Sequence, residues 1–307
     1  MTRIRDGIVF AYFMGILGSM AWGISFIGSK TALDYLEPMQ VMAVRMTVAL
    51  LAFLLIIGLK LVRVDFRGKK LRSLLLLSLA QPCLYATFEI YGIDLTTASE
   101  SAILLSIVPI VVTLVYAIGF REKIRLSLAA FILLSFAGVI VTVLGDVATS
   151  GKVLGYLLLM MAVACASAYT VLSKEISGRF TSIEITFIMT LCGFIFFNGG
   201  SLLMGHGLEG YRIALREPEL LGALVFLGVV CSVFAFIAYN QLIGKVPAYK
   251  ASTVSLSVLT VTGVLAGILL RAEPVTIYKI AGLVMILTGV VGASRPEELP
   301  AAQKGKE

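Results

Sequence analysis

This chain is poor in the side chains that soluble enzymes use. It has one histidine, one tryptophan and four cysteines, and only 14% of its 307 residues are charged. It contains no His-Glu-x-x-His pair, no Walker-type glycine-lysine loop, no Gly-x-Ser-x-Gly elbow and no His/Asp cluster. His206, the single histidine, falls in a connection between apolar segments, which excludes a membrane metalloprotease in practice. No polar stretch is long enough for a nucleotide domain, so an ATP-driven pump is excluded too. The selectivity-filter repeat of an ion channel is absent. Cys83, Cys165, Cys192 and Cys231 all lie inside apolar segments without paired spacing. They read as free thiols acting as small hydrophobes, not as metal ligands or disulfides. The sequence calls for no metal, no cofactor and no catalytic residue.

What is abundant is apolar surface. Hydrophobic residues make up 59% of the chain, and the mean hydropathy is +1.00. That excess fits a polytopic helical membrane protein. The apolar runs are continuous over roughly 20 residues, enough to cross ~30 Å of hydrocarbon as helices. Strands of a barrel would alternate in polarity instead. Ten spans are expected at 8–33, 38–61, 72–93, 96–119, 125–145, 153–174, 181–204, 219–243, 247–270 and 275–294. Pro38, Pro247 and Pro274 stand at span starts, where a missing N–H costs nothing. The first span is too long for a cleavable signal peptide and runs on through Ala-Trp-Gly.

The ten spans form two copies of five. At an offset of 144, Lys30 falls on Lys174, and at an offset of 151, Glu122 falls on Glu273 and Gly138 on Gly289. The copies are placed at 1–145 and 146–294, followed by a polar tail, 295–307. An odd number of spans per copy inverts the second copy, and inverted repeats are characteristic of secondary transporters. With a cytoplasmic N-terminus, 18 of the 25 Lys and Arg residues lie on the inner side. The net charge of +7 is therefore an orientation signal, not a nucleic-acid surface, and both termini are expected in the cytoplasm.

Polar side chains inside a membrane bond a neighbouring helix or face a wet cavity. Gln81, Tyr85 and Glu89 are spaced by four residues and share one face of span 3. Their equivalents in span 8 are Ser232, Phe236 and Asn240, beside Tyr239. Trp22, Ser25 and Ser29 share a face of span 1, matched in span 6 by Ala166, Tyr169 and Ser173. Ser106 and Pro109 in span 4 are matched by Ser257 and Thr260 in span 9. Spans 5 and 10 are more uniformly apolar. A cavity lined by spans 1, 3, 4, 6, 8 and 9 is expected, with substrate contacts from Trp22, Ser25, Gln81, Tyr85, Glu89, Ser106, Tyr169, Ser173, Phe236, Tyr239, Asn240 and Ser257. Glu89 is the candidate for a substrate amine or a coupling proton. Pro82 and Pro109 are candidate kinks, because each frees a carbonyl within its helix.

Other polar residues have local readings. Arg45, about two turns into span 2 with Met189 at the equivalent place in span 7, is expected to pair with an acid such as Glu89 or to snorkel, with direct substrate contact as the alternative. Lys30 and Lys174 are expected to snorkel. Glu100 fits a capping box with Thr97, and Glu122 and Glu273 are expected to serve the start of the helix that follows each. Gly263 and Gly267 form a small-residue pair expected to pack against span 10.

Ala21-Trp22-Gly23-Ile24-Ser25-Phe26, with Lys30 after it, resembles the opening of the EamA domain. Leu105-Ser106-Ile107-Val108-Pro109 followed by Phe120-Arg121-Glu122 resembles that domain's fourth-helix block. The second copy keeps Ser257 and Glu273 but has Thr260 in place of the proline and Ala166-Ser167 in place of Trp-Gly. The chain thus resembles a tandem-EamA member of the drug/metabolite transporter superfamily over roughly residues 8–294. The resemblance implies a ten-helix fold with a central cavity in a bacterial inner membrane. It also implies a secondary transporter of small metabolites, foremost an exporter of amino acids or related compounds. Uptake by the same fold and a non-transporting binding or scaffold protein are the alternatives. The expected partners are a small-molecule substrate and lipid, with no nucleic acid, and the chain is expected to be a monomer.

Overall fold

The computed structural model describes residues 2–119, 125–150 and 152–295, and among them every regular element is a helix. We number the long helices α1 (Thr2–Leu33), α2 (Pro38–Gly58), α3 (Arg72–Leu95), α4 (Ala98–Ile118), α5 (Leu126–Ser150), α6 (Val153–Ile176), α7 (Ser182–Leu203), α8 (Pro218–Lys245), α9 (Ala248–Arg271) and α10 (Ile277–Ala293). Among the described residues nine of these are long and apolar enough to cross a membrane, and α10 is a shorter apolar helix. At 17 residues and 1.5 Å per residue, α10 is about 25 Å long. The expected all-helical membrane architecture is therefore present. The connection between α7 and α8 holds one element the sequence reading left out, a short amphipathic helix, Glu209–Arg216.

Helix starts are written in local chemistry. The Thr97 hydroxyl accepts from the Glu100 amide while the Glu100 carboxylate accepts from the Thr97 amide, closing the expected capping box on α4. Thr181 and Glu184 do the same for α7. Pro38 opens α2, and the Thr276 hydroxyl caps α10 through the Lys279 amide.

The packing repeats itself under exchange of the two copies. On the α5–α10 seam, a Cβ at Gly138 would meet the Gly282 carbonyl and Ile286, and one at Gly289 would meet the Phe131 carbonyl and Ser135. Adding 151 to 131 and 135 gives 282 and 286, so one contact is used twice. Elsewhere Gly23 of α1 lies against the Leu259 carbonyl of α9, and its equivalent Ser167 of α6 donates to the Val108 carbonyl of α4. α1 packs on α8 and α9, α6 on α3 and α4, and α2 on α7. Gly263 and Gly267 do not face α10 as expected. They admit Ala102, Phe26 and Ser99, so the pair lets α9 approach α1 and α4.

Three helices are irregular near their middles. α3 breaks at Gln81, whose φ of −143° and ψ of 119° are non-helical, directly before Pro82. The break and the widened turn that follows coincide with the expected kink. α8 carries a wide π-helical stretch over Phe226–Phe234 without any proline. α4 is interrupted at Ser106–Ile107, and Pro109 sits in the first turn of its second half, where its missing N–H is harmless.

Candidate functional site

The irregular stretch of α3, through Gln81 and Pro82, borders a cavity between the two copies, and Phe236 and Tyr239 border it from the regular turns of α8 that follow its π-helical stretch. Its wall is built from α1, α2, α3, α4, α6, α8 and α9, while α5 and α10 contribute nothing to it. The six helices expected from the polar stripes all line it, and α2 is the addition.

Four aromatic rings form one side. Trp22 meets Phe236 edge to face at a centroid distance of 4.9 Å and Tyr239 at 5.3 Å. Tyr169 lies 6.1 Å from Phe236 and 6.3 Å from Tyr239. Such offset contacts suit the ring quadrupoles and hold the rings in place. The Trp22 Nε1 donates to the Cys231 carbonyl at 3.0 Å, tying α1 to the widened turn of α8. Widened turns leave carbonyls without their usual helical donors, which is why they recur at functional sites.

Polar groups line the facing side. Tyr85 donates to Glu89 Oε1 at 2.5 Å along α3. Gln81 is buried, and its amide makes no hydrogen bond among the described residues. The Ser25 hydroxyl turns back to the Trp22 carbonyl at 2.6 Å. Arg45 of α2 also lines the cavity, and its Nε donates to Ser232 Oγ at 2.9 Å. No ion pair of 4 Å or less joins Arg45 to Glu89, and Arg45 does not snorkel: it is buried among α2, α3 and α8. Both expectations for Arg45 are therefore corrected.

Eight of the twelve expected contact residues reach this wall: Trp22, Ser25, Gln81, Tyr85, Glu89, Tyr169, Phe236 and Tyr239. The other four lie behind it. Asn240 accepts from Tyr169 at 2.9 Å and from Ser173 at 2.6 Å, and donates to Thr186 at 3.1 Å. That network fixes Tyr169 from behind and occupies both Asn240 and Ser173. Ser106 donates to its own helix at Ile103, and Ser257 is half-buried, its hydroxyl enclosed without a hydrogen-bond partner among the described residues and outside the cavity wall. Phe26, Met46, Pro82, Ala86, Leu105, Val108, Ala166, Thr170, Leu256 and Leu259 complete the wall. Apart from Thr170, whose hydroxyl donates back to the Ala166 carbonyl, these side chains are apolar and carry no signal that separates a cavity wall from a packed core.

The helix ends hold charges that the sequence left unresolved. Lys30 Nζ donates to the Asp94 carbonyl at the end of α3, and Lys174 Nζ to the Ile243 and Val246 carbonyls at the end of α8. The two equivalent lysines thus close equivalent helix ends. Glu273 does not serve α10. Its two carboxylate oxygens accept from the Ala98 and Ser99 amides at 2.8 and 3.0 Å, capping α4 of the other copy. Glu122 lies outside the described residues. Glu100, fully buried, also meets Lys279 at 3.3 Å and Lys152 at 3.4 Å. At the opposite end Lys69 meets Glu184 at 2.7 Å. On the loop after α1, the Glu219 carboxylate beside Tyr35 raises the phenol above its usual range.

The four cysteines are free thiols. Among the described residues no group of three or more His, Cys, Asp or Glu is placed to hold a metal ion.

Comparison with known proteins matches residues 9–144 and 153–295 separately to the model of the EamA-like transporter family. The chain is 31% identical over 290 residues to the uncharacterized transporter YcxC of Bacillus subtilis (strain 168), covering 92% of each protein. It is 27% identical to an uncharacterized transporter of Archaeoglobus fulgidus, over 88% of this chain and 93% of that one. A solved crystal structure shares the fold with a TM-score of 0.61 at 19% identity, covering 92% of this chain and 96% of its own.

Proposed function

This chain belongs to the EamA-like transporter family, and from that premise we propose that it is a secondary transporter working by alternating access, exporting amino acids or related small compounds. The observation that carries the reading is the cavity walled by both copies and lined by aromatic and polar side chains. A mostly apolar pocket with a few convergent polar groups suits small amphipathic metabolites. The repeated packing supports rocking of one copy against the other around this cavity. Trp22, Tyr169, Phe236 and Tyr239 would supply apolar and cation–π contacts, and Ser25, Gln81, Tyr85 and Glu89 polar ones. Asn240 and Ser173 would hold the aromatic wall from behind. Glu89 is the group at which a proton and a substrate amine would compete.

The charge bias of the loops supports cytoplasmic termini and a bacterial inner-membrane location. The pure protein in liposomes, loaded with single amino acids and assayed for counterflow, tests the proposal. Exchange of at least one amino acid is expected. Absence of exchange across the whole amino-acid panel would overturn the amino-acid reading, and absence of flux for every metabolite tried would overturn transport itself. Right-side-out and inverted vesicles under an imposed gradient give the direction, with net efflux expected.

A further inference from the structure

The cavity holds an open cation. Arg45 is 6% exposed, yet only its Nε has an acceptor, Ser232 Oγ. Its two Nη groups have no hydrogen-bond partner among the described residues, and no carboxylate lies within 4 Å. They are not sealed in protein either: Arg45 lines the cavity, and its Nη groups keep accessible surface there. A guanidinium largely withdrawn from bulk water, with no acceptor on its Nη groups, favours an anion placed there. Its planar pair of N–H donors matches a carboxylate in both spacing and charge. On the same wall stands Glu89, with one oxygen taken by Tyr85 and the other unpartnered.

Both charges come from the first copy. The equivalent of Arg45 is Met189, and the equivalent of Glu89 is Asn240, whose amide is spent on Tyr169, Ser173 and Thr186. The second copy contributes three rings, Tyr169, Phe236 and Tyr239, among smaller and aliphatic side chains. The site therefore joins an arginine and a glutamate of the first copy to an aromatic box that both copies build.

We propose that this cavity binds a zwitterion in one fixed orientation, its carboxylate on the Nη groups of Arg45, its ammonium at Glu89 and its side chain in the box of Trp22, Tyr169, Phe236 and Tyr239. Arg45 is then the residue that selects for a carboxylate. The proposal rests on the transport reading above and narrows it to α-amino acids with apolar or aromatic side chains.

Trp22 is the only tryptophan and lines the cavity, so its fluorescence reports occupancy. Purified protein is titrated with phenylalanine and leucine, with their amides, which lack the carboxylate, and with 3-phenylpropionate and 4-methylpentanoate, which lack the ammonium. The wild type is expected to bind at least one of the zwitterions about tenfold or more tighter than its two analogues. R45Q is expected to weaken that zwitterion about tenfold while leaving its amide within about twofold, with R45K restoring part of the loss. E89Q is expected to weaken the zwitterion and spare the deaminated acid.

A merely structural Arg45 would weaken zwitterion and amide by the same factor, and that result overturns the proposal. Wild-type protein that binds amide, acid and zwitterion alike also overturns it, and this arm stands even if R45Q fails to fold. If counterflow of amino acids is intact but R45Q keeps its preference for the carboxylate, this proposal falls alone. If neither zwitterion produces a response and no amino acid exchanges, it falls together with the transport reading.

Discussion

Arg45 of α2 and Ser232 of α8 are joined across the two copies by a hydrogen bond of 2.9 Å from Nε to Oγ. Ser232 is itself pinned to the Leu227 carbonyl at 2.9 Å, so the widened turn of α8 sets the direction of the guanidinium. Hydrogen bonds to charged groups are worth about 1.5–3 kcal/mol. Ser232→Ala should therefore cost about tenfold in substrate affinity, the low end of that range, because the freed Nε can meet cavity water. Thermal unfolding in detergent should move little. An unchanged affinity would show that Arg45 needs no second-copy partner.

Glu89 gives the transport rate its pH dependence if proton and substrate ammonium share it. The titratable groups around it are Arg45 from α2, Tyr85 on its own helix, and Tyr239 and Cys231 from α8. As pH falls and Glu89 takes up a proton, apparent affinity for an amino acid should fall with it. In Glu89→Gln the affinity should be low and flat across the same range. Counterflow measured from pH 5 to pH 8 checks this, and a Gln variant with wild-type affinity and pH profile would remove Glu89 from coupling.

The α5–α10 seam tolerates no added bulk. A Cβ on Gly138 would stand 2.8 Å from the Gly282 carbonyl and 2.8 Å from Ile286. Gly138→Leu should lose about 1–3 kcal/mol or more through overpacking, read as a lower unfolding temperature in detergent. Gly178 has nothing within 4 Å, so Gly178→Ala should stay within about 0.5 kcal/mol. Equal effects at both positions would refute this account of the seam.

Glu273 caps a helix that lies 175 residues away in the chain. Glu273→Ala leaves the Ala98 and Ser99 amides without acceptors at the start of α4 and should cost about 1–2 kcal/mol, typical of a lost helix cap. Glu273→Gln keeps one acceptor oxygen and should cost about half as much. Hydrogen exchange should rise at Ala98 and Ser99 in Glu273→Ala, whereas a role at α10 would place the change near Ile277.

Much of this arrangement was legible in the sequence, for physical reasons. Gln81, Tyr85 and Glu89 recur every four residues, so one helical face is polar whatever surrounds it. The expectation failed where a polar residue has a choice of partner. Ser106 can satisfy its hydroxyl on its own helix and does. Asn240 and Ser173 lie on the right faces but satisfy each other. Arg45 stands alone in an otherwise apolar α2, so nothing local distinguishes a cavity cation from a paired one. Glu273 looked local because Pro274 follows it, yet its acceptor geometry is met only by a helix from the other copy. Spacing reveals a face, while the partner of a charged group depends on which helices meet, and that is decided over hundreds of residues.

The α5–α10 seam sets equivalent positions of the two copies against each other, but the residues at them differ. Phe131 and Ser135 of the first copy answer to Gly282 and Ile286 of the second, and the Phe131 ring occupies the space that the missing side chain of Gly292 leaves. The position equivalent to Gly292 is Val141. Two first halves joined in this way would press Phe131 of each against a valine of the other. The seam therefore tells the halves apart, and favours the union of unlike halves that the single covalent chain already supplies.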